Sequence, residues 1–147
     1  MKKYDEFLDP NFCKDGSPQN AVIRFFFGLK TRNIDMMLDF CQITWKKKRP
    51  FAREKLEMFF GDIFLHGMKI KRMRRISDTC YEAFLQVGFK VRNKPKAIVS
   101  VVRAMVVCEK GVFMPDVNGR WGVNPISVLK GFGIYKRIFI DPEKIGG

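Results

Sequence analysis

The sequence has few of the residues from which metal sites and disulfide frameworks are built. It contains one histidine, and its four cysteines are far apart, with no Cys-x-x-Cys pair. Such spacing indicates neither a zinc site nor a small disulfide framework. We therefore expect no metal, no cofactor, buried free thiols and no requirement for an oxidising compartment.

Long hydrophobic runs are absent as well. The first residues are charged and include Pro10, so they lack the apolar core of a signal peptide. Nowhere do about 18 uncharged apolar residues, enough for a membrane-spanning helix, follow one another. The sequence therefore predicts a cytoplasmic protein with no membrane partner.

Acidic residues are outnumbered by basic ones. The chain has 28 Lys and Arg against 15 Asp and Glu, which gives a formal net charge of +13. This charge favours acidic partners such as nucleic acid, anionic lipid or an acidic protein, although it reports on association rather than fold. With 147 residues, 46% of them hydrophobic, the chain can fill one core, so we predict a single domain.

Helical periodicity occupies the first half of the chain. Ser17 is a candidate N-cap, and Pro18 suits the first helical position. Apolar residues then recur at helical spacing up to Leu29. Asn33 is a second candidate N-cap, and the apolar stripe after it runs to Trp45. We predict two core-facing helices in a hairpin.

A third helix follows the basic run at 46–49. Pro50 interrupts the periodicity because proline cannot continue a helix. Apolar residues then recur at helical spacing from Ala52 to Ile63. The first half of the chain therefore predicts three helices.

In the second half the hydrophobic period changes to two. Residues 81–91 alternate between apolar and polar, as in a strand with one buried face. After a turn at 93–95, residues 97–108 are apolar on both faces apart from Ser100 and Arg103. This second run predicts a central strand that is covered on both sides.

Two shorter stretches complete the predicted sheet. The alternation at 68–76 slips near Arg72, and we predict a β-bulge there, because one extra residue returns Met73 and Ile76 to the apolar face and bends the sheet. Residues 121–124 form a last short strand that a proline ends.

The tail, 131–147, carries an apolar cluster that consists of Ile134, Tyr135, Ile138, Phe139 and Ile140. We expect the tail to dock on the open end of the sheet or on a second subunit. The predicted organisation is an N-terminal extension at 1–16, one domain at 17–130 and this tail.

Three runs of sequence carry a resemblance to a known superfamily: AVIRFFFGL at 21–29, NIDMML at 33–38 and GRWGV at 119–123. Together with the order of elements, they resemble the nuclear transport factor 2-like (cystatin-like cone) superfamily, which includes ketosteroid isomerases and polyketide cyclases. The resemblance implies an α+β fold, with three N-terminal helices packed on a curved antiparallel sheet of about four strands that forms a cone. The isomerase's acid and tyrosine pattern has no match here, so that activity is not implied.

If the cone is catalytic, the candidate residues are His66, Asp35 and Asp39. Histidine is a common general base near neutral pH, and His66 lies at the predicted join between the third helix and the first strand. Asp35 and Asp39 are four residues apart, which brings two carboxylates together on one helix face. The more common roles are a cap or surface position for the histidine and solvated or lysine-paired aspartates.

Aromatic residues at helical spacing usually form core, but their abundance here leaves some for a ligand pocket or a dimer interface. The candidate pocket residues are Phe26, Trp45, Phe60, Tyr81, Arg103 and Met105. Arg103 in an apolar strand needs a carboxylate or a ligand, because burying an unpaired guanidinium is costly. Its predicted structural partner is Glu82, Asp35 or Asp39, and anion binding is the alternative.

The basic residues form two clusters along the chain, Lys46, Lys47, Lys48 and Arg49, and then Lys69, Lys71, Arg72, Arg74 and Arg75. On one common face they would neutralise phosphates in a salt-sensitive way. Aromatic residues for base stacking are scarce beside them, with Trp45 and Phe51 the only neighbours. The sequence therefore favours a solvated basic face over nucleic-acid binding.

We expect a non-catalytic binding or assembly domain that dimerises through the outer face of its sheet. It would hold a small apolar ligand or an acidic protein in its cone or on its basic face. The alternatives are a small-molecule enzyme of the polyketide cyclase or ketosteroid isomerase type and a salt-sensitive nucleic-acid-binding accessory protein. The enzyme needs a titratable group in an enclosed cavity, the nucleic-acid protein needs its basic clusters on one surface, and assembly needs an exposed apolar patch.

Overall fold

The computed structural model of the chain describes residues 16–48 and 50–133. Helices come first, and an antiparallel sheet follows them, which confirms the predicted α+β class. The N-terminal extension up to residue 15, Arg49 and the apolar cluster of the tail lie outside the described residues. No helix of the described part is long and apolar enough to cross a membrane.

Four helices precede the sheet: α1 (Pro18–Lys30), α2 (Ile34–Asp39), α3 (Ile43–Lys48) and α4 (Ala52–Phe60). Two of them, α2 and α3, replace the second predicted helix. The helix is interrupted between α2 and α3 because Cys41 forms a β-bridge with Val123. The carbonyl of Val123 accepts a hydrogen bond from the N–H of Gln42. A long-range pairing therefore overrides the helical periodicity.

Both predicted N-caps are confirmed. The Ser17 side chain accepts a hydrogen bond from the N–H of Asn20, and the Asn33 side chain accepts one from the N–H of Met36. Eight of the 13 residues of α1 are buried, which makes it the central helix of the core.

The sheet contains β1 (Ile63–Ser77), β2 (Cys80–Val91), β3 (Ile98–Gly111), β4 (Met114–Pro115) and β5 (Arg120–Val123). The strands are hydrogen-bonded in the order β1–β2–β3–β4, and β5 also pairs with β3, so the sheet is open. After β5, helix α5 (Pro125–Leu129) and a 3₁₀ turn (Lys130–Phe132) pack against β3.

The predicted β-bulge is confirmed, in a strand that begins earlier than expected. The β1–β2 register shifts between Ile70 and Arg72, and two further shifts flank this one. Met73 packs against the core as predicted, whereas Ile76 is exposed because the last shift falls at its position. Strand β1 already starts at Ile63, which the periodicity placed in the third helix.

The sequence predicted that β3 is covered on both sides, and this prediction is wrong. Val102 and Ala104 are fully buried against the core, whereas Val99 and Val101 are 46% and 63% exposed. The strand is apolar on both faces, but on the face that points away from the core its first half, with Val99 and Val101, is left exposed.

Aromatic rings fill the space between α1 and the sheet. The ring of Phe132 lies 4.9 Å from that of Phe89, 6.1 Å from that of Phe60 and 6.3 Å from that of Phe26, measured between centroids. All four side chains are buried. Phe26 and Phe60, predicted to line a ligand pocket, are therefore packed into the core.

Candidate functional site

The sheet face that points away from the core gathers residues from three strands. Ala83 and Leu85 of β2 are buried in the core, so Glu82, Phe84 and Gln86 point to the other side. Cross-strand partners in an antiparallel sheet share a face. We call this surface the outer face; its residues are Lys69, Arg72, Arg74, Glu82, Phe84, Gln86, Val101, Arg103 and Met105.

A buried carboxylate organises the outer face. The side chain of Glu82 is 4% exposed and accepts hydrogen bonds from Arg74 on β1 and Arg103 on β3. The Arg74 Nη2 atom lies 2.7 Å from Oε1, and the Arg103 Nε atom lies 2.9 Å from Oε2. Glu82 is thus the partner of Arg103, one of the three carboxylates expected from the sequence. Arg103 itself is 65% exposed rather than buried, because β3 is open on this side.

The two arginines act on the ionisation of this carboxyl group. Hydrogen bonds from Arg103 hold the pKa of Glu82 below its usual range, and those from Arg74 add to this effect. Burial alone would raise the pKa. Glu82 therefore stays ionised and neutralises part of the positive charge on the outer face.

An aromatic ring lies between two guanidinium groups on the same face. The Cζ atom of Arg72 is 4.5 Å from the ring centroid of Phe84, and that of Arg103 is 5.7 Å from it. Both distances are within the range of cation–π contacts, about 6 Å. The ring was not predicted from the sequence, because Phe84 belongs to the strand next to the basic cluster and not to the cluster itself.

A groove of about 470 Å³ adjoins the outer face, between β3 and the segment that follows β5. Its lining includes Arg103 and Met105, two of the predicted pocket residues, together with Ser100 and Ser127. The hydroxyl of Ser127 accepts a hydrogen bond from the N–H of Met105, which fixes this wall of the groove.

The other predicted pocket residues lie elsewhere. Trp45 is buried in α3, and its indole N–H has no hydrogen-bond partner in the described ranges. Tyr81 packs edge to face against Trp121, with 5.5 Å between ring centroids. Phe60 is a core residue that also borders a groove of about 350 Å³ beside Arg92. The structure therefore does not bring the six predicted residues into one pocket.

The three lysines of the first basic cluster, Lys46, Lys47 and Lys48, lie in the last turn of α3 and not on the outer face. Burial lowers the pKa of Lys46, and the nearby charge of Arg120 lowers it further. The ammonium group of Lys48 lies 5.7 Å from the ring centroid of Phe113. Lys47 is exposed, and Arg49 lies outside the described residues.

The second basic cluster, on β1, is divided by the bulge. Lys69, Arg72 and Arg74 belong to the outer face, whereas Lys71 occupies the bulge itself. Arg75 lies opposite Tyr81 on the other face and pairs with Asp78. Three of the five cations in this cluster therefore share a surface with Arg103.

The three candidate catalytic residues are exposed and separate. His66 lies within β1, at its first register shift, rather than at a helix–strand join. Asp35 accepts a hydrogen bond from Arg53 at 3.0 Å, whereas Asp39 pairs with Arg120, also at 3.0 Å. The two carboxylates therefore have different partners, although they share a short helix.

The Glu82→Gln variant tests the role of this carboxylate. Because the pKa of Glu82 is lower in the folded protein than the ordinary 4.5, its contribution to stability is complete above pH 4.5. That contribution is lost as the pH falls through the folded-state pKa. We expect E82Q to lower the free energy of unfolding at neutral pH by about 1 kcal/mol. Urea unfolding should show this difference shrink in acid, whereas a constant difference would contradict the ionic role.

No protein-family model matches the chain, and no curated protein matches it. A comparison with solved structures finds similarity to a SEC-C motif containing protein from Psychrobacter arcticus, with a TM-score of 0.54 and 9% sequence identity. The match covers 76% of this chain and 60% of that protein, so the chain spans less than two thirds of its length. At this identity the similarity concerns the fold alone.

The predicted resemblance to the nuclear transport factor 2-like superfamily is wrong. The structural similarity found is to a SEC-C motif containing protein, and no family model supports the superfamily. The sequence runs behind the resemblance have local explanations: 21–29 is the buried part of α1, and 33–38 is a capped helix. Gly122 is required because a Cβ atom there would lie 2.5 Å from the carbonyl oxygen of Cys41. Such features serve many α+β folds.

Proposed function

We propose that this protein is a non-catalytic binding domain that holds an anionic partner on the outer face of its sheet. The supporting observation is that four cations, Lys69, Arg72, Arg74 and Arg103, share this face with one carboxylate, Glu82, which pairs with Arg74 and Arg103. The net charge of +13 has the same sign and draws polyanions toward the molecule.

The packed interior also supports a surface site. Phenylalanine side chains fill the space between α1 and the sheet, which leaves the outer face as the more suitable place for a partner. For the finer architecture we propose that the bulges of β1 curve the sheet around α1 in the form of a cone. A cytoplasmic location belongs to the same proposal.

The sequence analysis gave the outer face of the sheet as the dimer interface; from the charge on this face we propose instead that any homodimer interface lies away from it. A twofold interface uses the same patch of both subunits. On this face it would bring the guanidinium groups of two copies together, since Glu82 is already occupied by Arg74 and Arg103. An anionic partner fits this charge better than a second copy does.

The test replaces the three outer-face arginines by glutamine. We expect the triple variant Arg72→Gln, Arg74→Gln and Arg103→Gln to bind heparin about 100-fold more weakly at low salt. Each substitution removes one cation that would contact the polyanion. Isothermal titration calorimetry over a series of salt concentrations measures both the affinity and its salt dependence. The salt dependence should become shallower in the variant.

The matched control is the triple variant Arg53→Gln, Lys110→Gln and Arg120→Gln. These cations are also about half exposed and paired with carboxylates, but they lie off the outer face. We expect less than a threefold effect on heparin affinity (about 0.6 kcal/mol). In contrast, E82Q should raise the affinity, because it removes a negative charge from the face. Equal losses in the two triple variants would mean that the positive charge acts diffusely, and the proposed site would be rejected.

A further inference from the structure

The outer face combines its charge with an aromatic ring, which a site for a simple polyanion does not need. Phe84 is half-buried on β2, and the guanidinium groups of Arg72 on β1 and Arg103 on β3 lie near its ring. Nucleobases stack on aromatic rings and on guanidinium planes, while arginines bind the phosphates that connect the bases. An Arg–Phe–Arg arrangement on an open sheet therefore has both parts of a nucleotide-binding surface.

A second arrangement of the same kind lies farther along the sheet. Phe64 of β1 is the cross-strand partner of Lys90, which shares a face with Gln86 and Phe84. The Cζ atoms of Arg32 and Arg92 lie 4.5 and 5.1 Å from the Phe64 ring centroid. At about 3.3 Å per residue, the two aromatic positions are roughly 20 Å apart along the strand direction. That spacing suits a chain of several nucleotides.

We infer that the outer face binds single-stranded nucleic acid, with a base stacked at Phe84 and phosphates held by Arg72 and Arg103. The inference rests on the proposed function and adds the class of partner. A single strand is required because the bases of a duplex are stacked on one another and cannot reach a ring in the face of a sheet. Binding tolerates different sequences, because every base has a surface on which it can stack.

The decisive variant is Phe84→Leu, which keeps an apolar side chain but removes the ring. Fluorescence anisotropy with a labelled oligouridine of about 12 nucleotides should show a loss of affinity of about tenfold. Heparin affinity should be unchanged, because heparin has no bases. The matched control is Phe113→Leu, since Phe113 is an exposed ring beside the cation of Lys48, away from the outer face. Circular dichroism confirms that each variant is folded.

Three further ligands separate the possible outcomes. An abasic oligonucleotide of equal length and a polyglutamate peptide should bind more weakly than oligouridine and should not respond to F84L. A duplex of equal length should also bind more weakly. If F84L leaves oligouridine binding unchanged, or if the duplex, the abasic strand or the peptide binds as tightly, the nucleic-acid inference is overturned. The proposed function fails separately, if the triple arginine variant keeps its heparin affinity.

Discussion

Replacing Phe132 by alanine is expected to lower the free energy of unfolding by about 3–5 kcal/mol. The ring is 3% exposed and contacts the rings of Phe26, Phe60 and Phe89. Its removal leaves a cavity that three rigid aromatic neighbours cannot fill, so the lost contacts add to the lost transfer free energy. Urea unfolding followed by circular dichroism measures the change.

The Phe132 prediction also tests whether the interior is filled. Phe113 is 71% exposed, so Phe113→Ala should change stability by less than about 0.5 kcal/mol and serves as the control. Phe132→Leu retains much of the buried volume and should lie between the two. A loss below about 1 kcal/mol for F132A would mean that the segment after β5 is not part of the core.

Features with local causes were predictable from the sequence. The caps at Ser17 and Asn33 depend only on the next few residues, and the bulge near Arg72 appears as a slip in the alternation of one strand. The division of the second predicted helix was not predictable in this way. It depends on pairing of Cys41 with Val123, a residue of the last strand, and such a partner leaves no periodic trace around residue 41.

The candidate site was only partly predictable, because it is assembled across strands. The basic cluster on β1 and the need of Arg103 for a carboxylate were visible in the sequence. The Phe84 ring between the basic cluster and Arg103 was not visible in the sequence, because Phe84 lies beside Arg72 only through the pairing of β1 with β2. One signal was available: the tight turn that pairs Ser77 with Cys80 sets the register of this hairpin. If residues are counted back from this turn, with allowance for the bulges, the basic residues of β1 fall opposite alternate residues of β2.

The Glu109→Ala variant is expected to lower the free energy of unfolding by about 3 kcal/mol. Glu109 of β3 is buried and accepts hydrogen bonds from the backbone N–H and the hydroxyl of Thr44, at 3.0 and 2.5 Å, and from the Gln42 amide at 3.3 Å. The Thr44 hydroxyl oxygen also accepts a hydrogen bond from the N–H of Phe113. The carboxylate thus ties the start of α3 to the end of β3, and its loss leaves three half-buried donors of Thr44 and Gln42 without their acceptor.

Because these contacts lie at one end of the sheet, the loss should be local. In E109A the backbone amides of α2 and α3 should exchange faster with solvent. The amides of the β1–β2 hairpin should keep their protection. Heparin affinity should stay the same, since the outer-face arginines are not among the partners of Glu109. Glu57→Ala is the control, because this exposed carboxylate pairs with Arg53 on the surface and contributes less than about 1 kcal/mol. If E109A and E57A cost the same, the buried network does not hold α3 to the sheet.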